Sequence, residues 1–405
     1  MRTMTEGVIP GVLASLLLAG VSQAEASPVS AERVRQAFSL AYALDFTGGN
    51  AALAEAALAD PADPAPPRAI AALAWVEMLF YQGVATYEAF TGDVSSSDVA
   101  RPMVPPALKA RFEVNLTRAR RLSQQRLDAR ERDGDYQMGA TDALSALYKS
   151  TVEGRTLGAL ADGRRAVKAM QRARVLEPDR PEPAVILGMY RYVVASLAWP
   201  LRLLAGAAGL SGSRDQALAL LREASMPGSV SEADALVLLM VIYNRENRRG
   251  VALAALDRLQ ALFPGNRLFA LNAATTALEA RQPLLADRQL SIVLEGAVAW
   301  AAPKVEGEPA MWLWKRGVAR VALGRLAEAR GDLARSLIEP GRDWVRGRTH
   351  LELARIAVAE ADTAGAREHL EQAVTFCERG ADALGVRLAK ELLKTITGQR
   401  PPRGA

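Results

Sequence analysis

The chain has 405 residues, of which 50% are hydrophobic and 23% are charged, and its formal net charge is +5. Alanine, leucine and arginine dominate, and strand-like alternation of β-branched and aromatic residues is nearly absent, so the composition predicts an all-α protein. The mixed charge argues against a nucleic-acid partner, and the single cysteine, Cys377, excludes an intramolecular disulfide.

Residues 1–26 have the outline of a secretory signal peptide. An apolar stretch runs from Gly7 to Val21, and the small residues that a signal peptidase requires follow it. We expect cleavage near Ala24 or Ala26 and a periplasmic or secreted mature protein; a retained N-terminal anchor or a wrongly assigned start is the alternative.

Residues 27–133 are predicted to form an N-terminal helical region. A first helical pair is expected between Ser30 and Leu58, with a break at Thr47–Asn50, and a proline-rich connector follows at 60–67. A later helix is strongly basic and carries interleaved acidic residues, which indicates a solvated helix face. Contact with an anionic lipid headgroup at a membrane surface, or with a cell-wall polymer, is the alternative. The arginines of this helix are Arg111, Arg118, Arg120, Arg121, Arg126, Arg130 and Arg132.

Residues 134–397 carry a repeat with a period of about 34 residues. Ala217, Ala252 and Ala286 lie 35 and 34 residues apart, and each is followed four residues later by a leucine. The same spacing recurs from Ala166, Ala329 and Ala366. Such a period predicts helix–turn–helix units stacked into a solenoid, whose surface binds other molecules. Residues 398–405 are expected to be a disordered tail.

These repeats resemble the tetratricopeptide repeat (TPR). The best copy runs from Met240 to Pro264, and a second shows Gly317 with Leu323-Gly324-Arg325. The resemblance implies a right-handed α-solenoid of helix–turn–helix repeats that binds a protein or peptide partner. On its inner face we expect a peptide-binding groove that includes four polar residues: Asn244, Arg245, Arg348 and Arg355.

An apolar insertion at about 190–212 interrupts the repeat, because Gly188 and Ala217 lie 29 residues apart. Its pattern is similar to that of exported bacterial TPR proteins without an assigned activity, which are distantly similar to the tetratricopeptide repeat protein 39/Iml2 family. The insertion is interpreted as a helical hairpin packed on the solenoid, or as a lid or apolar pocket for a lipid or a partner helix. Its marker residues are Tyr190, Tyr192, Trp199, Pro200, Leu203 and Leu204.

The sequence offers little support for an enzyme. His350 and His369 are the only histidines, and the spacing of His, Cys and carboxylate residues indicates neither a metal site nor a cofactor site. The sequence therefore predicts a non-catalytic envelope adaptor or assembly scaffold, with lipid or small-molecule binding at 188–212 as the alternative.

Overall fold

A computed structural model describes residues 27–82, 103–197, 199, 202, 203, 206, 211–296 and 307–398 of the protein. Over these residues the chain forms seventeen α-helices and no strand. The all-α prediction is confirmed. In chain order the helices are α1 Pro28–Tyr42, α2 Phe46–Ala59, α3 Ala65–Tyr81, α4 Pro106–Asp128, α5 Gly134–Thr151, α6 Thr156–Leu176, α7 Glu182–Ser196, α8 Arg214–Ala224, α9 Glu232–Arg245, α10 Arg249–Leu262, α11 Arg267–Glu279, α12 Pro283–Glu295, α13 Glu308–Ala322, α14 Leu326–Ile338, α15 Asp343–Ala359, α16 Thr363–Arg379 and α17 Ala383–Ile396.

The helices pack as consecutive pairs, as in an α-solenoid, in two compact units. Unit 1 ends at Asn266 and holds five pairs, from α1–α2 to α9–α10. Unit 2, as far as the structure describes it, holds the pairs α11–α12, α13–α14 and α15–α16, and α17 packs on the last pair. The contacts thus group the described helices into units that meet after Asn266, and the boundary at 133/134 stays a prediction. Helices α1–α4 pair in the same way as those that follow.

Tight turns join the helices of most pairs. In five of them the second residue after the first helix has positive φ, which reverses the chain over about three residues. Only one of these residues is a glycine. They are Leu44, Asn247, Arg281, Gly324 and Ala361.

The turn between α1 and α2 lies earlier than the sequence predicted. The reversal occurs at Leu44, with φ of 66°, and Asp45 caps α2 by accepting a hydrogen bond from the backbone N–H of Gly48. Gly48 and Gly49 therefore lie in the first turn of α2, and the expected break at Thr47–Asn50 is wrong. A Cβ on Gly49 would lie 3.2 Å from the backbone oxygen of Ala37, so this glycine serves the close approach of α1 and α2.

The repeated alanines and leucines form the core of the second helices. Ala217, Ala252 and Ala286 lie on α8, α10 and α12 and have no exposed surface. Their partners four residues on are equally buried: Leu221, Leu256 and Leu290. Small and large residues alternate along one helix face, so that each second helix fits closely against its neighbours.

Glycines on the first helix of a pair allow the second helix to approach closely. A Cβ on Gly188 of α7 would lie 2.9 Å from Cγ of Leu221 on α8, and one on Gly317 of α13 would lie 2.7 Å from Cγ of Leu333 on α14. Both distances are shorter than real side chains allow, so these positions require glycine for the observed packing. Among the described helices, none combines the length and hydropathy that a membrane span needs.

Candidate functional site

A pocket of about 630 Å³ lies in unit 1, where α1 meets the first turns of α7 and α9 and the end of α10. Its lining includes buried Tyr42, Glu182 and Asp234, together with the more exposed residues Arg35 and Val230. The volume falls within the range of about 300–1,000 Å³ that is usual for ligand sites. The pocket is therefore the candidate functional site.

Local sequence places the carboxylates at the pocket. Glu182 opens α7 directly after Pro181, and Glu232 and Asp234 lie in the first turn of α9. Acidic side chains are favoured there, because the unpaired backbone N–H groups give a helix start a partial positive charge. Two helix starts meet at the pocket, so their acidic first turns meet there too.

Tyr42 fixes one wall of the pocket. Its ring stacks on Phe263, with centroids 4.7 Å apart, and its hydroxyl donates a hydrogen bond to Oδ1 of Asp234. Its backbone oxygen accepts a hydrogen bond of 2.8 Å from Nδ2 of Asn266. Burial raises the pKa of Tyr42 well above its usual value, and the nearby carboxylate of Asp234 adds to this rise. Tyr42 therefore stays a neutral donor.

Glu182 is the most unusual group in the lining. Only 3% of it is exposed, and its Oε2 accepts no hydrogen bond from any described residue. Burial raises the pKa of Glu182, and the nearby guanidinium of Arg180 opposes that rise. An unsatisfied buried acceptor costs about 1–3 kcal/mol, so a group of this kind beside a pocket indicates a place for a donor.

Arg180 is held by other groups. It pairs with Glu177 at 3.1 Å, and its guanidinium carbon lies 4.2 Å from the ring centroid of Tyr136. These contacts engage part of the guanidinium, whose Nη1 has no hydrogen-bond partner among the described residues. Its charge opposes the effect of burial on Glu182. The lining can thus bind a ligand through carboxylates, aromatic rings and a phenol hydroxyl. Within the described chain no three His, Cys, Asp or Glu residues are arranged to hold a metal ion.

No protein-family model matches the chain, and no curated protein sequence is similar enough to match it.

The sequence did not point to this pocket. Tyr42 and Asp234 are 192 residues apart, and acidic residues at helix starts are common for reasons unrelated to ligands. Glu182 follows Pro181, and Asp234 lies three residues after Ser231 at a helix start, which was the one available signal. That signal places each carboxylate on its own helix, but it does not indicate that the carboxylates line the same pocket.

The residues predicted for a peptide groove lie in both units. Asn244 is only 1% exposed, so it offers no open surface to a peptide, whereas Arg245 is exposed. In unit 2, Arg348 forms two hydrogen bonds with Asp382, one of them 2.8 Å long, and Arg355 pairs with Glu352 at 2.6 Å. These partners lie within unit 2 and account for the arginines structurally. The peptide-binding role of the four residues stays a prediction.

The apolar insertion is described only in part. Tyr190 and Tyr192 belong to α7 and are buried, whereas Trp199 and Leu203 are 68% and 63% exposed. Two further marker residues lie outside the described residues: Pro200 and Leu204. The signal-peptide prediction for residues 1–26 and the predicted tail beyond residue 398 also fall outside them.

A small apolar cavity of about 80 Å³ lies beside the insertion, among α5, α6 and α7. Tyr190 and Val194 contribute to its wall. Cavities of about 150 Å³ are known to hold benzene, so this space is small for a lipid chain. The cavity alone gives the lipid alternative limited support.

The basic helix of the sequence corresponds to α4 and the turn that follows it. Several of its arginines pair with acidic residues of unit 1: Arg111 with Glu77, Arg120 with Asp142 at 3.0 Å, and Arg126 with Asp133 at 3.0 Å. These three charges therefore contribute to internal ion pairs, which reduces the positive charge that α4 presents to an anionic surface.

The two histidines come together in unit 2. Their Nδ1 atoms lie 3.2 Å apart, and the ring of His350 stacks on Phe376. Burial and the neighbouring His369 lower the pKa of His350 to about 4, and burial lowers the pKa of His369. Both rings are neutral at pH 7, and one Nδ1–H donates to the other ring.

Proposed function

We propose that this protein is a non-catalytic scaffold of right-handed TPR-like repeats that binds a protein or peptide segment and works in the bacterial envelope after export. The observation that carries the proposal is the 630 Å³ pocket, which has a buried carboxylate oxygen without a hydrogen bond. Helical-repeat proteins bind partners on surfaces to which several repeats contribute, and helices of three pairs line this pocket. The pocket lining, rather than the groove predicted from the sequence, is the site of binding in this proposal.

Site-specific photo-crosslinking in living cells tests the proposal. A photoreactive amino acid at Val230 places the probe at the pocket, where this side chain is 55% exposed. The matched control places it at Leu58 of α2, which is 80% exposed and does not line the pocket. We expect a discrete protein adduct from position 230 and none from position 58. Equal adduct patterns at the two positions would contradict the proposal.

Export is tested separately by the mass of the purified protein. The proposal expects a mature chain that starts just after Ala24 or Ala26, recovered from the envelope fraction. A full-length chain that stays in the cytoplasm would remove the envelope from the proposal and leave the binding function in place.

Lipid or small-molecule binding through the insertion is the second candidate. Trp199 and Leu203 favour it, because these two exposed apolar side chains lie close together in sequence beside the small apolar cavity, where they could contact a ligand. Organic extracts of wild-type protein and of a Trp199→Ser/Leu203→Ser variant distinguish the two functions. Lipid present in the first extract and lost from the second supports this candidate, whereas two clean extracts argue against it.

A further inference from the structure

The lining of the pocket carries more negative than positive charge. It contains four carboxylates and two guanidiniums: Asp179, Glu182, Glu232 and Asp234, with Arg35 and Arg180. Neighbouring residues just outside the lining do not reverse this balance. Arg35 pairs with Glu32 and Arg180 with Glu177, while Arg258 lies 2.6 Å from Glu232 and the charge of Arg68 also acts on Glu182.

The starts of α7 and α9 oppose this negative charge, but they do not cancel it. Each helix start contributes about half a positive charge, and together they equal about one cation. The lining therefore keeps a net negative charge and favours a cation over an anion.

Glu182 locates the cation within the pocket. Its side chain is almost fully buried, and Oε2 lacks a donor among the residues that the structure describes. Hydrogen bonds from a charged donor to a carboxylate are about twice as strong as neutral ones. A ligand that brings an N–H donor with a positive charge would satisfy this oxygen and neutralise its charge.

Aromatic rings line the same pocket. Tyr42 and Phe263 form the stacked pair, and Phe38 on the same face of α1 is half-buried. Cations are attracted to aromatic faces, and a planar guanidinium also stacks on them. Carboxylates next to aromatic rings thus favour a flat, organic cation with several N–H donors over a small ammonium group.

We propose that the pocket binds the guanidinium of an arginine side chain in the partner segment. The guanidinium donates a hydrogen bond to Glu182 and packs against the stacked rings of Tyr42 and Phe263. This inference rests on the proposed function and names the chemical group that it recognises. The pocket is larger than one side chain, so the flanking residues of the segment enter with the arginine.

The test starts with a random heptapeptide library displayed on phage and the full-length protein on a support. Selected peptides are then synthesised with a fluorescent label. Each is made in two forms, with arginine or with citrulline at the position where the selected peptides share an arginine. Citrulline has nearly the same shape as arginine but no charge. Their affinities are measured by fluorescence anisotropy.

Three proteins are compared at this stage: wild type, Glu182→Gln, and Glu223→Gln as the matched control. Glu223 is an exposed acidic residue of unit 1 that pairs with Arg174 and does not line the pocket. We expect citrulline to weaken binding to wild type and to the control by about 10-fold or more. In Glu182→Gln the two peptides should differ by less than about 3-fold.

An exposed position gives a second variant that does not threaten folding. Val230 lies at the pocket and is 55% exposed, so Val230→Lys adds a like charge near the bound arginine, and Val230→Glu adds an opposite one. Val230→Lys should weaken the arginine peptide relative to Val230→Glu, and this difference should shrink in high salt.

The outcomes separate the two proposals. Peptides that bind without a preference for arginine, or an arginine preference that persists in full in Glu182→Gln, would overturn the inference and leave peptide binding intact. A library that yields no peptide above the bare support would overturn the proposed function itself. An arginine preference lost in Glu182→Gln and kept in Glu223→Gln would support both.

Discussion

Two glycines on neighbouring helices of unit 2 allow the change from glycine to alanine to be tested at two positions. We expect it to change the free energy of unfolding in opposite directions. Gly317 on α13 faces α14, and a Cβ there would lie 2.6 Å from Cδ2 and 2.7 Å from Cγ of Leu333. Gly331 on α14 is exposed, and a Cβ there would meet nothing within 4 Å. Changing either glycine to alanine alters the helix equally, but only Gly317→Ala disturbs packing.

Helix propensity and packing give the magnitudes. Alanine in a helix interior is more favourable than glycine by about 0.8–1.0 kcal/mol, so Gly331→Ala should raise the free energy of unfolding by nearly this amount. At Gly317 the same gain is opposed by overpacking, which costs about 1–3 kcal/mol. Leu333 has no exposed surface and packs within a cluster that includes Leu353 and Ile356, so it has little room to move. Gly317→Ala should lower stability by about 1 kcal/mol net.

Urea unfolding followed by far-ultraviolet circular dichroism measures both variants against wild type. With a slope of about 2 kcal/mol per molar urea, the midpoint should fall by about 0.5 M for Gly317→Ala and rise by about 0.4 M for Gly331→Ala. If Gly317→Ala stabilised the protein as much as Gly331→Ala does, the close contact between α13 and α14 would be refuted.

Three further predictions concern buried groups of unit 2. Glu308→Gln removes the charge that lies 2.7 Å from Nε of Arg267, and both side chains are only 1% exposed, so it should lower the free energy of unfolding by about 3 kcal/mol in urea titrations; an unchanged midpoint would contradict this. Because the pKa of His350 is lowered to about 4, the unfolded chain binds its proton more readily, so wild type should lose stability as pH falls from 6.5 towards 4. Melting temperatures over that range should fall less in His350→Gln, and parallel curves would count against the assignment. Burial and Asp382 raise the pKa of Cys377 to about 12, so a thiol reagent should label the native protein far more slowly than the urea-unfolded chain, and equal rates would be inconsistent with a buried thiol.

The repeat core was predictable because it depends on local spacing. An alanine followed four residues later by a leucine puts both side chains on one helix face, and this holds wherever the pattern occurs, regardless of the loops. Ala252 and Leu256 show the pattern, and both are fully buried. The handedness of a stack, by contrast, depends on how successive pairs rotate, which the spacing does not contain.

The first helical turn shows why loops were harder to predict. Gly48 and Gly49 looked like a break, since glycine often marks turns. Here Gly48 donates to the cap Asp45 and Gly49 lets α1 approach, while the reversal uses Leu44, a residue with no turn preference. A glycine signals either a positive φ or a close contact, and the sequence alone does not separate these two causes.

The pocket was unpredictable for a different reason. Its groups belong to helices that meet only through tertiary packing, and each has an ordinary local explanation. Glu182 looks like a helix-start acid, and Tyr42 looks like a core aromatic residue. Two features distinguish them from such residues: both line one cavity, and Oε2 of Glu182 lacks a hydrogen bond.

The contacts of Tyr42 also bear on the order in which unit 1 forms. A repeat array with only nearest-neighbour contacts can grow one pair at a time, but Tyr42 joins Asp234 across 192 residues. Closing the loop between Tyr42 and Asp234 costs conformational entropy. The contacts that offset this cost form only when the intervening helix pairs are in place. During synthesis the pocket is therefore complete only after α9 and α10 have emerged. A ligand that requires the finished pocket would bind only chains whose first unit has closed.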